Sequence, residues 1–437
     1  MIVLSKKSIV KGTLILSIAG FLTKALGFYN RIFLTRAIGV LELGIYQMVF
    51  PLYLLMLSLC CQGISVALTK AVSFYFGKGA PCSAKKALKA SIIYSLTLCL
   101  LTCFTVYCFS KQISLRFLKN SDCQELIKIL LIAVPFVCVK ACINSFFVGA
   151  NRPGLHGISH LIEQIFRIGA GYILLYTVMR HRPSAALAII ALVTGEICAT
   201  ILALIFYRIY FKDKKSCTAD SFSSSALIKD SVPLTLNNVM LTLFSSFEAM
   251  ILPAMLFKYL GNQSLAIEQY GIITGIVLPF IMFPATLTGS LSTMLLPAVS
   301  YANAKNDRRS ISGALRASIL FCIVFGFFAW IFYQLGGEFL CELAFKNKEA
   351  GSLLRKMSYL CPLLYISGNL SSILNGVDKT FLNLMFYIIG ISVRIFIIIF
   401  FVPKYGLTAY VGALTLSYVT QNLMMLLALS NYLPSKS

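Results

Sequence analysis

"ALKASI" at residues 87–92 returns as "ALRASI" at residues 314–319, 227 positions later, with five of six letters and the charge preserved. An internal duplication predicts that other residues recur at the same offset, and they do. "AVS" at 71–73 returns at 298–300, and "GI" at 44–45 returns at 271–272. Lys78 returns as Lys305, Pro135 as Pro362, Gly149 as Gly376, Arg152 as Lys379 and Arg31 as Lys258. Arg167 returns as Arg394, an arginine inside an apolar run in both copies. Matching Leu or Ile would mean little in so apolar a chain. Proline and arginine in step, with no gap, mean that the chain is built twice. The repeated phrase begins a span just after a basic loop, where it reads as a helix-loop-helix hinge needed by each copy.

Composition says what was duplicated. The chain has 437 residues, of which 58% are hydrophobic and only 12% charged, and its mean hydropathy is +0.85. A soluble protein of this length needs far more polar surface. The apolar runs are about 20 residues or longer, enough to cross a bilayer as helix. Twelve spans are predicted, near 9–35, 44–72, 87–110, 126–150, 155–179, 184–208, 231–258, 268–301, 313–334, 352–376, 380–402 and 406–431. The most polar stretch, "FKDKKSCTADSFSSSALIK" at 211–229, is Ser-rich and charged and reads as a cytoplasmic linker. Residues 1–210 and 230–437 then form one lobe each. Six spans per copy is even, so both copies enter the membrane from the same side. The expected fold is an all-α integral membrane protein: about twelve transmembrane helices in two parallel six-helix lobes around a central cleft.

The net charge of +23 does not point to nucleic acid, because the lysines and arginines sit in short loops and build no single basic face. Lys78, Lys85, Lys86 and Lys89, then Arg208, Lys212, Lys214 and Lys215, then Lys305, Arg308, Arg309 and Arg316 fall on one side. That side is expected to be cytoplasmic, with both termini. Lys111, Arg116 and Lys119, and Lys346, Lys348, Arg355 and Lys356, fall on the other. The basic start, Lys6, Lys7 and Lys11, leads into an apolar run without a small-residue cleavage site, which reads as a retained helix. Cysteines such as Cys99, Cys103, Cys138, Cys142, Cys322 and Cys361 lie inside spans without zinc-site spacing and read as small apolar filler. There is no nucleotide-binding P-loop, no GxSxG and no HExxH, and the three histidines, His156, His160 and His181, lie near loop ends. A non-enzyme without cofactor or metal is expected, its transport driven by an ion gradient, the membrane potential or the cargo's own gradient.

A charge inside hydrocarbon costs at least a few kcal/mol, so ionisable residues within spans are the best functional pointers. The basic set is Lys24, Arg31, Lys140, Arg167 and Arg394; the acidic set is Glu163, Glu196 and Glu248. Glu163 and Arg167 are four apart and share a helix face, as a structural pair or as part of the site. Arg394 has glycine at the matching offset, Gly390, so its partner must come from elsewhere, Glu248 or a ligand. Lys140 either faces the cleft or pairs with Glu196. Arg36 reads as snorkelling to lipid headgroups. Five positive groups against three negative favour an anionic cargo, and the arginine fork suits a pyrophosphate. Prolines inside spans (Pro51, Pro135, Pro253, Pro279, Pro284, Pro297 and Pro362) are expected to kink helices. The hydroxyls of Thr286, Thr288, Ser290, Ser292 and Thr293 either line a path or bond their own helix.

"KGTLILSIAGFLTKALGFYNRIFLTRAIGVLELGIYQMVFPLYLLMLSL" (11–59), "IEQIFRI" (162–168), "LTGSLSTMLLPAVSYANAKND" (287–307) and "ILNGVDK" (373–379) resemble the polysaccharide-transport branch of the multidrug/oligosaccharidyl-lipid/polysaccharide flippase superfamily. Within it the chain is most similar to the stage V sporulation protein B group. The resemblance covers essentially the whole chain and rests on the ensemble of motifs. It implies flipping of undecaprenyl-pyrophosphate-linked glycans in cell-wall or spore-cortex synthesis, at the bacterial cytoplasmic membrane. In related lipid II flippases the first span carries an arginine-rich "LGF" segment whose basic side chains line the cavity. Lys24 stands where that pattern has an arginine; Asn30 holds the place of its second, and Arg31 lies one residue beyond.

The expected partners are a lipid-linked glycan with a pyrophosphate headgroup, membrane lipids and a coupling monovalent ion, bound by a monomer. A cation-coupled multidrug antiporter would instead depend on Glu163, Glu196 or Glu248. A non-transporting scaffold for wall synthesis would move no lipid at all.

Overall fold

The computed structural model describes residues 6–178, 183–211 and 224–430, with side chains from residue 20 onward except at 226, 293 and 297. Most of the expected linker, 212–223, lies outside the described residues, as do His181 and the side chains of Lys6, Lys7, Lys11 and Thr293. Every regular element among the described residues is helical. They are α1 (Lys6–Leu57), α2 (Gly63–Gly77), α3 (Pro81–Gln112), α4 (Cys123–Leu131), α5 (Ala133–Gly149), α6 (Pro153–Thr177), α7 (Ala185–Tyr210) and α8 (Ser224–Leu260). There follow α9 (Gln263–Gly271), α10 (Leu278–Met282), α11 (Ala285–Ala304), α12 (Arg308–Phe345), α13 (Lys348–Met357), α14 (Leu360–Gly376), α15 (Thr380–Tyr405) and α16 (Leu407–Leu429). The chain clusters into two compact units, one up to Ser246 and one from Phe247, so that α8 contributes to both.

Apolar length decides where these helices run, and glycine and proline decide where they break. The 52 residues of α1 would be about 78 Å long, far more than a bilayer core of about 30 Å. Gly39 interrupts it with φ 81°, a backbone that glycine adopts without a Cβ penalty, so the first two spans share one nearly continuous run. After Pro51 a π turn at Ser58–Gln62 loosens the helix, and the hydroxyl of Ser95 on α3 donates to the Cys60 carbonyl at 2.7 Å. The expected single span 126–150 is two helices, α4 and α5, bent by 40° just before Pro135. The chain also breaks before Pro362, between α13 and α14, and Pro279 and Pro284 break the span 268–301 into α9, a π turn, α10 and α11. A proline ring removes an N–H and crowds the preceding turn, which accounts for each break. Among the described residues eight helices, or nine counting the bent pair as one span, are long and apolar enough to cross a membrane. That is fewer than twelve because two spans share α1–α2, α14 has 17 residues and α6 is diluted by polar ones.

The duplication is visible inside each unit. Positive φ recurs at the 227 offset at Gly79 and Asn306, Lys119 and Lys346, and Asn151 and Asp378. The core of the first unit holds Leu68, Val72, Ala84, Leu88, Phe146 and Phe147. The second holds Leu295, Val299, Ile311, Leu315, Ile373 and Leu374, the same positions one copy later. A Cβ on Gly149 would come within 2.8 Å of Val72, and one on Gly376 within 2.9 Å of Val299, so the same helix crossing is built twice. The phrase expected to be a hinge lies inside α3 and α12. Leu88 and Ser91, and Leu315 and Ser318, are buried in the cores; what the phrase preserves is a packing face. The opposite faces of α3 and α12 expose Leu101 and Phe104, and Phe328 and Ile331, apolar surface suited to lipid.

Candidate functional site

In the first unit four helices bring ionisable residues to one place. On α6, His160, Glu163 and Arg167 fall at i, i+3 and i+7, one face of the helix. From α5, the Lys140 ammonium donates to Glu163 at 2.7 Å and to Glu196 of α7. Arg167 donates to Glu163 at 2.7 Å and approaches Glu196 at 3.4 Å. The ring of His160 lies 3.2 Å from Glu163, and the Tyr53 hydroxyl, from α1, donates to Glu196 at 3.4 Å. Lys140, Glu163 and Glu196 are only 4–5% exposed, so none keeps a water shell. Two cations against two carboxylates cancel, which is what makes the burial tolerable. Gly195 makes the arrangement possible: a Cβ there would sit 2.9 Å from the Glu163 carbonyl oxygen, so glycine lets α7 lie close enough to α6 for Glu196 to arrive.

In the second unit, Arg394 of α15 reaches Glu248 of α8 at 3.0 and 3.3 Å. Its other terminal nitrogen donates to the Ser417 hydroxyl at 3.1 Å, and the guanidinium lies 5.0 Å from the centre of the Tyr418 ring. The Tyr410 hydroxyl donates to Glu248 at 3.2 Å. Gly390, the position matching Glu163, lies 3.2 Å by its virtual Cβ from the Ser417 carbonyl. The missing acid is thus replaced by close contact with α16 and by a carboxylate from another helix.

Lys24 and Arg31 lie on α1. Lys24 is exposed on α1. Arg31 is partly buried and within electrostatic reach of Tyr46, itself within electrostatic reach of Arg167 and Glu196. The hydroxyls of α11 bond mostly to their own helix: Thr288 to Ala285, Ser290 to Thr286 and Ser292 to Thr288, at 3.0–3.1 Å. Ser292 also bonds Asn369. The participants not expected from sequence are His160, Tyr53, Tyr410, Ser417 and Tyr418. The spacing of His160 from Glu163 was legible; contributions from distant helices carried no local signal.

The family described as polysaccharide biosynthesis protein matches residues 9–290. Stage V sporulation protein B of Bacillus subtilis (strain 168) is 25% identical over 99% of this chain and 85% of its own length. Among solved structures, an outward-facing multidrug resistance MATE family transporter of the MOP superfamily aligns with a TM-score of 0.71 at 16% identity, covering 98% of this chain and 96% of that one. Lipid II flippase MurJ in an inward closed conformation aligns with a TM-score of 0.71 at 17% identity, covering 95% of this chain and 87% of that one. The fold is that of the MOP superfamily transporters.

Proposed function

The chain belongs to the polysaccharide biosynthesis protein family, and on that premise we propose that it flips a lipid-linked glycan across the bacterial cytoplasmic membrane. The cargo is an undecaprenyl-pyrophosphate oligosaccharide or peptidoglycan precursor. The chain acts as a monomer of two six-helix lobes with both termini cytoplasmic. It moves cargo by alternating access, driven by a monovalent-ion gradient or the membrane potential.

One observation carries the cargo assignment. The three carboxylates of the membrane spans are each engaged by a cation of the protein itself: Glu163 and Glu196 by Lys140 and Arg167, and Glu248 by Arg394. Five basic residues in the spans against three acids leave the excess positive, and Lys24 stands exposed on α1. A pyrophosphate is drawn to such charge, whereas a cationic drug needs an available carboxylate. In this reading Lys140, Arg167 and Arg394, for which the sequence left open a cargo ligand or a partner of a buried acid, serve chiefly as counter-ions, each within its own unit. The relatives named for sporulation and for lipid II flipping are consistent with the same cargo class.

The test is reconstitution into liposomes with a defined polyprenyl-pyrophosphate glycan. The wild-type chain should move it between leaflets. Lys24→Ala and Arg31→Ala should each slow movement by about tenfold, the loss of one charge-assisted contact. Unchanged rates in the double variant, with the protein inserted and folded, would reject the cargo assignment. Movement of a cationic dye in its place would favour the antiporter.

A further inference from the structure

Away from the buried charge clusters, a cavity of about 740 Å³ opens between α2 and the first turns of α8. Its origin is geometric. At Gly63 the two helices are in contact, and a Cβ there would overlap Thr235. Beyond that contact the cavity is lined by Ala67 to Tyr75 of α2 and by Leu234 back to Leu227 of α8. Leu227, 5% exposed, packs into the core with Leu68 and Val72 and anchors the start of α8.

The lining is chemically specific. Lys70 on α2 and Lys229 on α8 face it from opposite walls, with Asp230 beside Lys229 and the rings of Phe74 and Tyr75 on the α2 side. Lys78 lies over the Phe74 ring at 4.5 Å and adds positive charge at the mouth. Lys70, Lys229 and Asp230 are exposed and form no ion pair among the described residues. Two lysines against one aspartate leave a net positive cavity, with an acceptor for a hydroxyl and apolar walls for a chain. It lies at the end of the first unit that carries Lys78, Lys85, Lys86 and Lys89, the end where basic residues meet anionic headgroups.

We propose that this cavity binds the phosphate headgroup of an anionic lipid, with Lys70 and Lys229 holding the phosphate from two helices and the aromatic wall receiving the chain. The same chemistry is offered by a bilayer phospholipid and by a polyprenyl pyrophosphate. The site does not depend on the cargo assigned above, and its test does not read transport.

Full-length protein in detergent is titrated with short-chain phosphatidylglycerol and the bound fraction is read by native mass spectrometry. Each of Lys70→Ala and Lys229→Ala should weaken binding about fivefold, and the double variant about thirtyfold. Lys128→Ala, on α4, should leave it unchanged, and short-chain phosphatidylcholine should not distinguish the double variant from wild type. Undiminished phosphatidylglycerol binding by the double variant, or equal loss with phosphatidylcholine, overturns the proposal. If polyprenyl pyrophosphate displaces the bound phosphatidylglycerol, the site serves lipid-linked cargo. If it does not, the site belongs to a bilayer lipid.

Discussion

Lys140 is the residue on which most of the buried charge of the first unit depends. It serves Glu163 and Glu196 together, and Arg167 cannot replace it because its own contact with Glu196 is 3.4 Å long. Lys140→Met would strand buried carboxylates, at a cost of roughly 3–5 kcal/mol. Thermal unfolding in detergent should show a large fall in midpoint, partly restored when Glu196→Gln is added. Equal stability of Lys140→Met and wild type would contradict the cluster. Arg394 makes a different demand, because it uses the shape of guanidinium as well as its charge: Glu248, Ser417 and Tyr418 are met from separate atoms or faces. Arg394→Lys keeps the charge but cannot keep all three. It should cost about 2 kcal/mol, measurable in the same unfolding assay, whereas a purely electrostatic role would leave it close to wild type.

Helices approach one another here where glycine permits it. Gly195 brings α7 against α6, and the neighbouring Glu196 depends on that approach. Gly195→Ala should cost about 1–3 kcal/mol through overpacking and loosen the Lys140–Glu196 pair. Gly169, on α6 itself, has open space around its virtual Cβ; Gly169→Ala should be neutral or raise the unfolding midpoint, since alanine is the better helix former. Opposite shifts from two glycine-to-alanine changes on one helix pair test whether contact or propensity governs. The breaks at Pro135 and Pro362 could be anticipated from proline positions in the apolar runs. The glycine contacts could not, because nothing local marks which glycine meets a neighbour.

The polar stretch between the copies suggests a clean division of the chain, yet α8 begins inside the first unit. Leu227 is buried in its core, and Gly63 admits Thr235. Fragments 1–216 and 217–437, expressed together, should therefore co-purify, with α8 of the second docked on the first. Leu227→Asp should weaken that capture, because it places a charge in an apolar core. Failure of the intact fragments to associate would show that the docking of α8 is not independently stable.

Membrane insertion, helical class and duplication were all readable from the chain, because the bilayer imposes length and apolarity on each span and the repeat keeps Pro and Arg in step. The candidate charged residues were readable for the same reason: an ionisable side chain stands out in hydrocarbon. Which of them cancel was not. Glu163 and Arg167 share a helix and could be paired by spacing alone, but Lys140 reaches Glu163 from another helix, Tyr53 reaches Glu196 and Tyr410 reaches Glu248 across more than 140 residues of sequence. Coulomb attraction and hydrogen bonding act over a few ångströms of space, so only the folded bundle decides which charges become one another's counter-ions.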